Sequence, residues 1–492
     1  MYKLNSNNLD LLNIGLVLNG EKNLSQLLHT ILNTGMSLFS CDAGIIYLLE
    51  NDMLHYTMLH TKSSKLSLSN LTSSEIPMMP IPISESNIYT DALRLNEIIF
   101  LPNVNNCHKY DLKSCMILDK RLNYQTISMV VVPLYSHDNE PLGILQLMNC
   151  MNHNNKIVSF SNEINFPLFY FATQAALAIS NIYYTQEIKD LLYSFAEAMS
   201  AAIDERAPYN STHSRNVAKY VRDFIAYYNL QYREGYVSEY FDENRIEQLY
   251  LAALLHDIGK LGIPIEIMNK STRLSSLLDP LMSRFEMFRC YYKIDYLEQH
   301  LSISEYEKKI KELDQVQEFV LEINSATFLD DITLNKVKEL SKYYYSNAEG
   351  LNIPFFTEAE LECLSIKKGT LTQQERKIME SHVIITSKML SRFNFKKHYA
   401  NIPQWANSHH EFLDGSGYPN HLTSVNMPLD VRILCICDIY DALTATDRPY
   451  KKPMTVSKAL NVLYDMAVSG KLDLSLVMIF TDMVNSKAEY HQ

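Results

Sequence analysis

Tyr250-Leu251-Ala252-Ala253-Leu254-Leu255-His256-Asp257-Ile258-Gly259-Lys260-Leu261-Gly262-Ile263-Pro264 ("YLAALLHDIGKLGIP", residues 250–264) is the stretch on which the fold turns. An apolar helical run ends directly on His-Asp. A buried, ionised carboxylate is very costly unless it is paired or bound to metal. The same situation recurs at Asp438, which follows "ILCIC" in "RILCICDIYDALTA" (432–445). Histidines complete the pattern. His213 lies in "NSTHSRNVAKYV" (210–221), His382 in "ERKIMESHVIITSKML" (375–390), and His409-His410 open "HHEFLDGSGYP" (409–419). Helical bundles build metal sites from inward His and carboxylate side chains on facing helices. Singly, each histidine reads more simply as a core or surface residue. Together, with His-Asp in an apolar helix and His-His elsewhere, they point to metal.

Imidazole and carboxylate without thiolate suit iron, manganese, zinc or nickel rather than a structural cysteine site. Five histidines and two carboxylates exceed what one ion needs, so two ions are expected, with Asp257 as a bridging carboxylate. Neighbours on a helix point about 100° apart. His409 and His410 are therefore expected to reach one metal from a helix end, or through converging side-chain torsions. The Asp-Gly-Ser-Gly run then reverses the chain, since glycine accepts backbone angles closed to other residues. Tyr418 and Pro419 are placed by that turn.

Of 492 residues, 47% are hydrophobic and 20% charged, the balance of a globular chain with ample core. The length suggests roughly two to four domains. The net charge of −12 argues against nonspecific nucleic-acid binding, which needs a basic face. An anionic substrate must then be drawn by metal ions or by a few placed Lys and Arg. The eight cysteines are scattered and read as reduced, mostly buried thiols. The opening "MYKLNSNNLDLLNIG" has no basic segment followed by an apolar run, and the apolar windows fall short of a membrane span. A cytoplasmic protein without membrane insertion is expected.

Residues 10–170 read as α/β. "NLSQLLHTILNTGMSLF" has apolar residues at helical spacing. "AGIIYLLENDMLHYTML" reads as two strands joined by an Asn-Asp turn, and "SMVVVPLYSHDNEPLGILQLMN" as a second pair with Asp138-Asn139 at its tip. A helix, two hairpins and a closing helix suit a sensory domain with a central antiparallel sheet. Residues 171–204 read as one long connecting helix. Its apolar seam runs through Ala178, Ile182, Ile188, Leu192, Phe195, Met199 and Ala202. It serves either its own domain's core or a homodimer. Residues 205–475 read as nearly all helical. A charged helical stretch at about 275–365 has the pattern of a solvated surface.

The motifs "HDIGK", "HHE...DGSGYP" and "DIYDALTATDRPYKK", in this order after an "HS" helix, resemble the HD-GYP phosphodiesterases of the HD hydrolase superfamily. The N-terminal part resembles a GAF domain through its strand pattern and "PLGILQLMN". The resemblance implies an α/β GAF-like sensor, a connecting helix and an all-α HD-type bundle. It implies hydrolysis of cyclic di-GMP to linear pGpG, and in some members of the family on to GMP. His213, His256, Asp257 and Asp438 match the ligands of the first metal, and His382, His409 and His410 those of the second. Lys260 matches a lysine near the phosphate, and Arg448 and Lys451 match residues contacting substrate phosphate. Tyr418 joins the substrate-binding set. Iron or manganese is implied ahead of zinc, nickel or magnesium. Tyr209 stands where a trimetal branch has a Glu ligand, which favours a dinuclear site. The insertion before His382 resembles one in a GAF-linked branch. Cys150 follows Asn149 where cyclic-nucleotide-binding GAF domains have Lys, so the GAF ligand is an unknown small molecule.

Two metals lower the pKa of a bound water and neutralise phosphate oxygens. The expected chemistry is in-line attack by a metal-bridging hydroxide opposite Asp257, with Lys260 stabilising charge or assisting proton transfer. Arg448 and Lys451 hold the non-reacting phosphate. Two other readings stand beside this one. One is a signalling module that binds a cyclic dinucleotide or a protein without turnover. The other is a phosphodiesterase acting on 3′,3′-cyclic GMP-AMP.

Overall fold

The computed structural model describes residues 13–69, 78–206, 212–346, 352–445 and 453–489. The chain divides into two compact units, Met1–Leu191 and Leu192–Gln492.

The first unit is built on an antiparallel sheet. Strands β1 (Cys41–Glu50), β2 (Met53–Thr61), β3 (Ser67–Ser69), β4 (Ile81–Pro82), β5 (Ile99–Leu101), β6 (Met129–Tyr135), β7 (Pro141–Met151) and β8 (Ile157–Val158) take the order β3-β2-β1-β7-β6-β5. On the flanks β4 pairs with β2 and β8 with β7. Both expected hairpins form. Asn51 and Asp52 turn β1 into β2 with φ of 50° and 61°, the left-handed pair that a tight hairpin requires. Asn139, with φ of 60°, sits at the β6–β7 tip.

The sheet is covered on both faces, so β1 is buried from Cys41 to Leu48 with no polar alternation. The Leu24–Leu38 helix and the start of the Asn165–Arg206 helix pack on one face through Leu28, Ile31, Phe171 and Ile179. The Ile88–Leu95 and Lys113–Leu122 helices cover the other through Ile88, Ala92 and Leu118. Asn149 is fully engaged in this architecture. Its carbonyl oxygen accepts from Ile127 N and Ser128 N, and its amide donates to Tyr124 Oη and Gln125 O.

The Asn165–Arg206 helix is continuous, as its composition predicts. Its apolar seam, however, is not one free stripe. Ala178 and Ile182 belong to the core of the first unit, and Leu192 and Met199 pack against the core of the second. Phe195 meets Phe393 at 5.3 Å. Ile188 alone of the seam's large side chains is well exposed, at 63%. A 3–4 spacing reports burial but not whose core provides it.

Among the described residues, the second unit is helical apart from one short antiparallel strand pair, Tyr344–Ser346 with Asn352–Pro354. Its main core joins the His213–Arg233, Glu243–Leu255, Leu429–Thr444, Val456–Val468 and Leu474–Glu489 helices. The stretch read as a solvated surface has a core of its own. There the Leu278–Leu297 and Ile303–Ser325 helices bury Phe285, Phe288, Leu313 and Val320 against Phe355. Arg273, fully buried, ties both ends of this insertion by donating to Ile323 O, Ala326 O and Ile366 O. Among the described residues, no helix is long and apolar enough to cross a membrane.

Candidate metal centre

Each histidine singled out in the sequence sits at the end of a helix. His213 is the first residue of the His213–Arg233 helix. His256 caps the C-terminus of Glu243–Leu255, and Asp257 opens the following 3-10 turn, Ile258–Gly262. His382 begins the His382–Leu390 helix. His409 and His410 follow the short Ile402–Asn407 helix in a turn. Asp438 projects from the middle of Leu429–Thr444. Off the helical path, the adjacent His409 and His410 rings lie 4.1 Å apart. This is the helix-end arrangement expected for them.

Tight backbone packing brings these ends together. A Cβ on Gly259 would collide with His382 O and Thr386 N, so glycine lets the 3-10 turn lie against the His382–Leu390 helix. Thr386 closes the contact, accepting from Gly259 N at 2.9 Å and donating to His256 O at 3.0 Å.

Two sets of ligand-type atoms, His213 with His256 and Asp438, and His382 with His409 and His410, are linked by a third, His256 with Asp257 and His409; within each set the atoms lie within 4.8 Å of one another. Asp257 lies between the first two. Its Oδ2 is 3.3 Å from His256 Nε2 and 3.7 Å from His213 Nε2. Its Oδ1 is 3.4 Å from His382 Nε2 and 3.8 Å from His409 Nε2. One carboxylate thus turns one oxygen to each set.

The hydrogen bonds fix the tautomers. His256, His382 and His409 each place Nδ1 2.6–2.7 Å from the carbonyl three residues earlier. A carbonyl can only accept, so each Nδ1 carries the proton and each Nε2 presents a lone pair inward. Nε2 of His382 and His409 then face each other at 3.5 Å, acceptor to acceptor. Among the described residues, His256 Nε2 and Asp257 Oδ1 are buried with no hydrogen-bond partner. Converging lone pairs that lack a donor are what a bound cation satisfies, so the donor set fits divalent metal ions.

Electrostatics agree. Burial opposes charge on Asp257, yet Lys260, His256 and His382 hold its carboxyl well below the usual range. Asp438 is held low against burial by His213, His256 and His410. Burial pushes His409 down, with His410 and His256 adding to the effect. Burial also takes His410 to about 4. His213 is the exception. Its burial is outweighed by hydrogen bonds to Asp438 and Asp441, which lift it to about 9.

Around this centre, Lys260 Nζ donates to Asp257 Oδ2 at 2.6 Å. The Tyr418 ring packs on His410 at 4.9 Å. Arg448, Lys451 and Tyr209 lie outside the described residues.

Two carboxylates escape a reading of the sequence alone. Asp441 Oδ2 lies 2.6 Å from His213 Nδ1, so it orients that ring and leaves Nε2 for Asp438 at 3.0 Å. A signal for it exists, because a residue three after Asp438 shares its helix face. Glu411, fully buried, accepts from Asn420 N at 2.6 Å and Leu422 N at 2.9 Å. No spacing pattern marks it.

Known proteins resemble this chain in pieces. A GAF-domain model matches residues 23–179, and HD-domain models match 210–322 and 359–476. The cyclic di-GMP phosphodiesterase response regulator RpfG of Xanthomonas campestris is 41% identical over 109 residues, 22% of this chain and 27% of that protein. The 3′3′-cGAMP-specific phosphodiesterase 1 of Vibrio cholerae is 37% identical over 89 residues, 18% of this chain and 20% of that protein. The chain thus spans about a quarter or less of the length of these curated relatives. The GAF domain of an Acinetobacter phosphoenolpyruvate-protein phosphotransferase is 17% identical, with a TM-score of 0.27, over 36% of this chain and 94% of that one. With the antiparallel sheet in one unit and the helical His/Asp centre in the other, the chain joins a region that matches the GAF-domain model to two regions that match HD-domain models.

Proposed function

We propose that the second unit hydrolyses cyclic di-GMP, to pGpG or as far as GMP, under control of the GAF domain. The observation that carries this is Asp257, whose two oxygens face ligand-type nitrogens on opposite sides, Oδ2 those of His213 and His256 and Oδ1 those of His382 and His409. His213, His256, Asp257 and Asp438 would hold one divalent ion, and His382, His409 and His410, with Asp257 shared, a second. Iron or manganese is favoured. Such ions lower the pKa of a water and neutralise phosphate oxygens, which a dianionic substrate requires.

The chain's own residues do the rest. Asp441 holds His213 in one tautomer. The backbone carbonyls do the same for His256, His382 and His409. Lys260 Nζ lies 2.6 Å from Asp257 Oδ2 while remaining 20% exposed, so it can also meet an arriving phosphate or assist proton transfer. His410 is the ligand-type side chain most open to solvent, at 31%, and substrate would enter there, past Tyr418. Burial holds the Tyr418 phenol well above its ordinary value, so it stays neutral and can donate a hydrogen bond. Arg448 would bind the non-reacting phosphate through two oxygens and Lys451 as a point charge.

In this reading residues 10–170 are the sensor, 171–204 the connector and dimer contact, and 205–475 the catalytic domain, with a helical insertion at about 275–365. The protein acts in the cytoplasm. The likeness to a 3′3′-cGAMP-specific enzyme supports a second substrate reading, cyclic GMP-AMP. Turnover of a panel of cyclic dinucleotides by protein purified under low oxygen, with bound metal measured, tests both. Tight binding without product would favour a non-catalytic module.

A further inference from the structure

The proposed phosphodiester chemistry leaves one buried acidic side chain beside this centre without a role. Glu411 follows His410 directly and is fully buried, yet among the described residues no cation pairs with it. Its two carboxylate oxygens are instead taken by two backbone donors, Asn420 N at 2.6 Å and Leu422 N at 2.9 Å. Both donors lie on the returning limb of the 412–422 loop. A buried carboxylate is tolerated when backbone N–H groups satisfy it, and such charge-assisted bonds are stronger than neutral ones.

The outgoing limb is fixed separately. Asp414 accepts from Ser416 N and Ser416 Oγ, and Ser424 N donates to Leu413 O at 3.0 Å. At the tip the loop folds back onto the backbone of His410 and Glu411. A Cβ on Gly417 would lie 2.6 Å from His410 O and 2.5 Å from Glu411 Cα, which no side chain could occupy. Tyr418 N then donates to His410 O at 3.2 Å, and the Tyr418 ring comes to rest on the His410 imidazole at 4.9 Å. His410 is the most exposed ligand-type side chain of the centre, at 31%. Tyr418 therefore walls the side on which a substrate would arrive.

We infer that Glu411 is a positioning residue: its carboxylate clamps the returning limb of the 412–422 loop and so sets Tyr418 against His410 as one wall of the substrate entrance. Glu411 touches neither substrate nor metal. It acts through two amides, a loop and one ring. This inference rests on the phosphodiesterase reading for its kinetic consequence but not for its structural one.

The test uses the full chain, purified with its metal, as wild type, Glu411→Gln, Tyr418→Leu and the double variant. Glutamine keeps the shape but offers one acceptor oxygen and sets an NH2 against a backbone N–H. Hydrogen exchange of peptides spanning 417–424 should rise about tenfold or more in Glu411→Gln, as expected on losing a hydrogen bond to a charged group. Bound metal per chain should match wild type. With cyclic di-GMP, KM should rise about tenfold with kcat little changed, the signature of lost uniform binding. Tyr418→Leu should raise KM similarly, and the double variant should be no worse than either single one. Unchanged exchange, metal loss in step with His410→Ala, or additive effects in the double variant would overturn the inference. If wild type turns over no cyclic dinucleotide, the function reading fails, and the exchange and metal measurements still decide the clamp.

Discussion

Asp441 shows what a residue contributes without touching the reacting atoms. Its carboxylate holds His213 Nδ1 at 2.6 Å, which directs Nε2 toward Asp438 and Asp257. Carboxylates that orient a metal-bound imidazole typically cost 10–100-fold in metal affinity when lost. Asp441→Asn should therefore weaken metal binding by about 10–100-fold while the fold persists, measured by competition with a calibrated chelator. The seven ligand-type residues are legible in the sequence because an apolar helix has little use for a buried His-Asp pair, or a core for His-His, unless a cation binds there. Asp441 is marked only by standing three residues after Asp438 on one helix face, and Glu411 is not marked at all, because its partners are two backbone amides. Such partners leave no trace in residue types. Arg448 and Lys451 rest on motif resemblance, since the structure describes neither.

Elements bring the residues together, and one glycine governs how closely. Gly259 places the Ile258–Gly262 turn against the backbone of the His382–Leu390 helix, with Thr386 bonded to both sides of the contact. Gly259→Ala should push that helix away, separating His382 from Asp257. A loss of about 3 kcal/mol in stability is expected, as for overpacking a close contact. Metal occupancy should fall as well. Thermal unfolding with parallel metal analysis checks both outcomes. A variant with wild-type stability would mean the turn and helix can part freely. The hairpins are readable at this scale because Asn51-Asp52 and Asn139 are residues that tolerate left-handed backbone. The 171–204 seam is not continuous, although its spacing reads that way. Its period is the same whether an apolar residue faces the first unit's core, the second's, or another chain.

For the whole molecule, one exposed apolar step within the 171–204 part of the long helix is the informative feature. Ile188 and Leu191 stand three apart and are 63% and 71% exposed. In the proposed homodimer these residues would be covered. Replacing both with Glu should convert a dimer to a monomer in sedimentation analysis while leaving bound metal unchanged. A wild-type chain that sediments as a monomer at micromolar concentration would place the dimer contact elsewhere or nowhere. The net charge of −12 matters at this scale too, since an anionic substrate must be attracted locally. Everything proposed for the second unit depends on Asp257 joining two metal positions in a phosphodiesterase site. The decisive experiment measures bound metal and cyclic di-GMP turnover on the same low-oxygen preparation of wild type and Asp257→Asn. About two divalent ions per chain and turnover are expected in wild type, with both collapsing in the variant. Full turnover by Asp257→Asn, or turnover by a metal-free wild type, would rule out the bridged site.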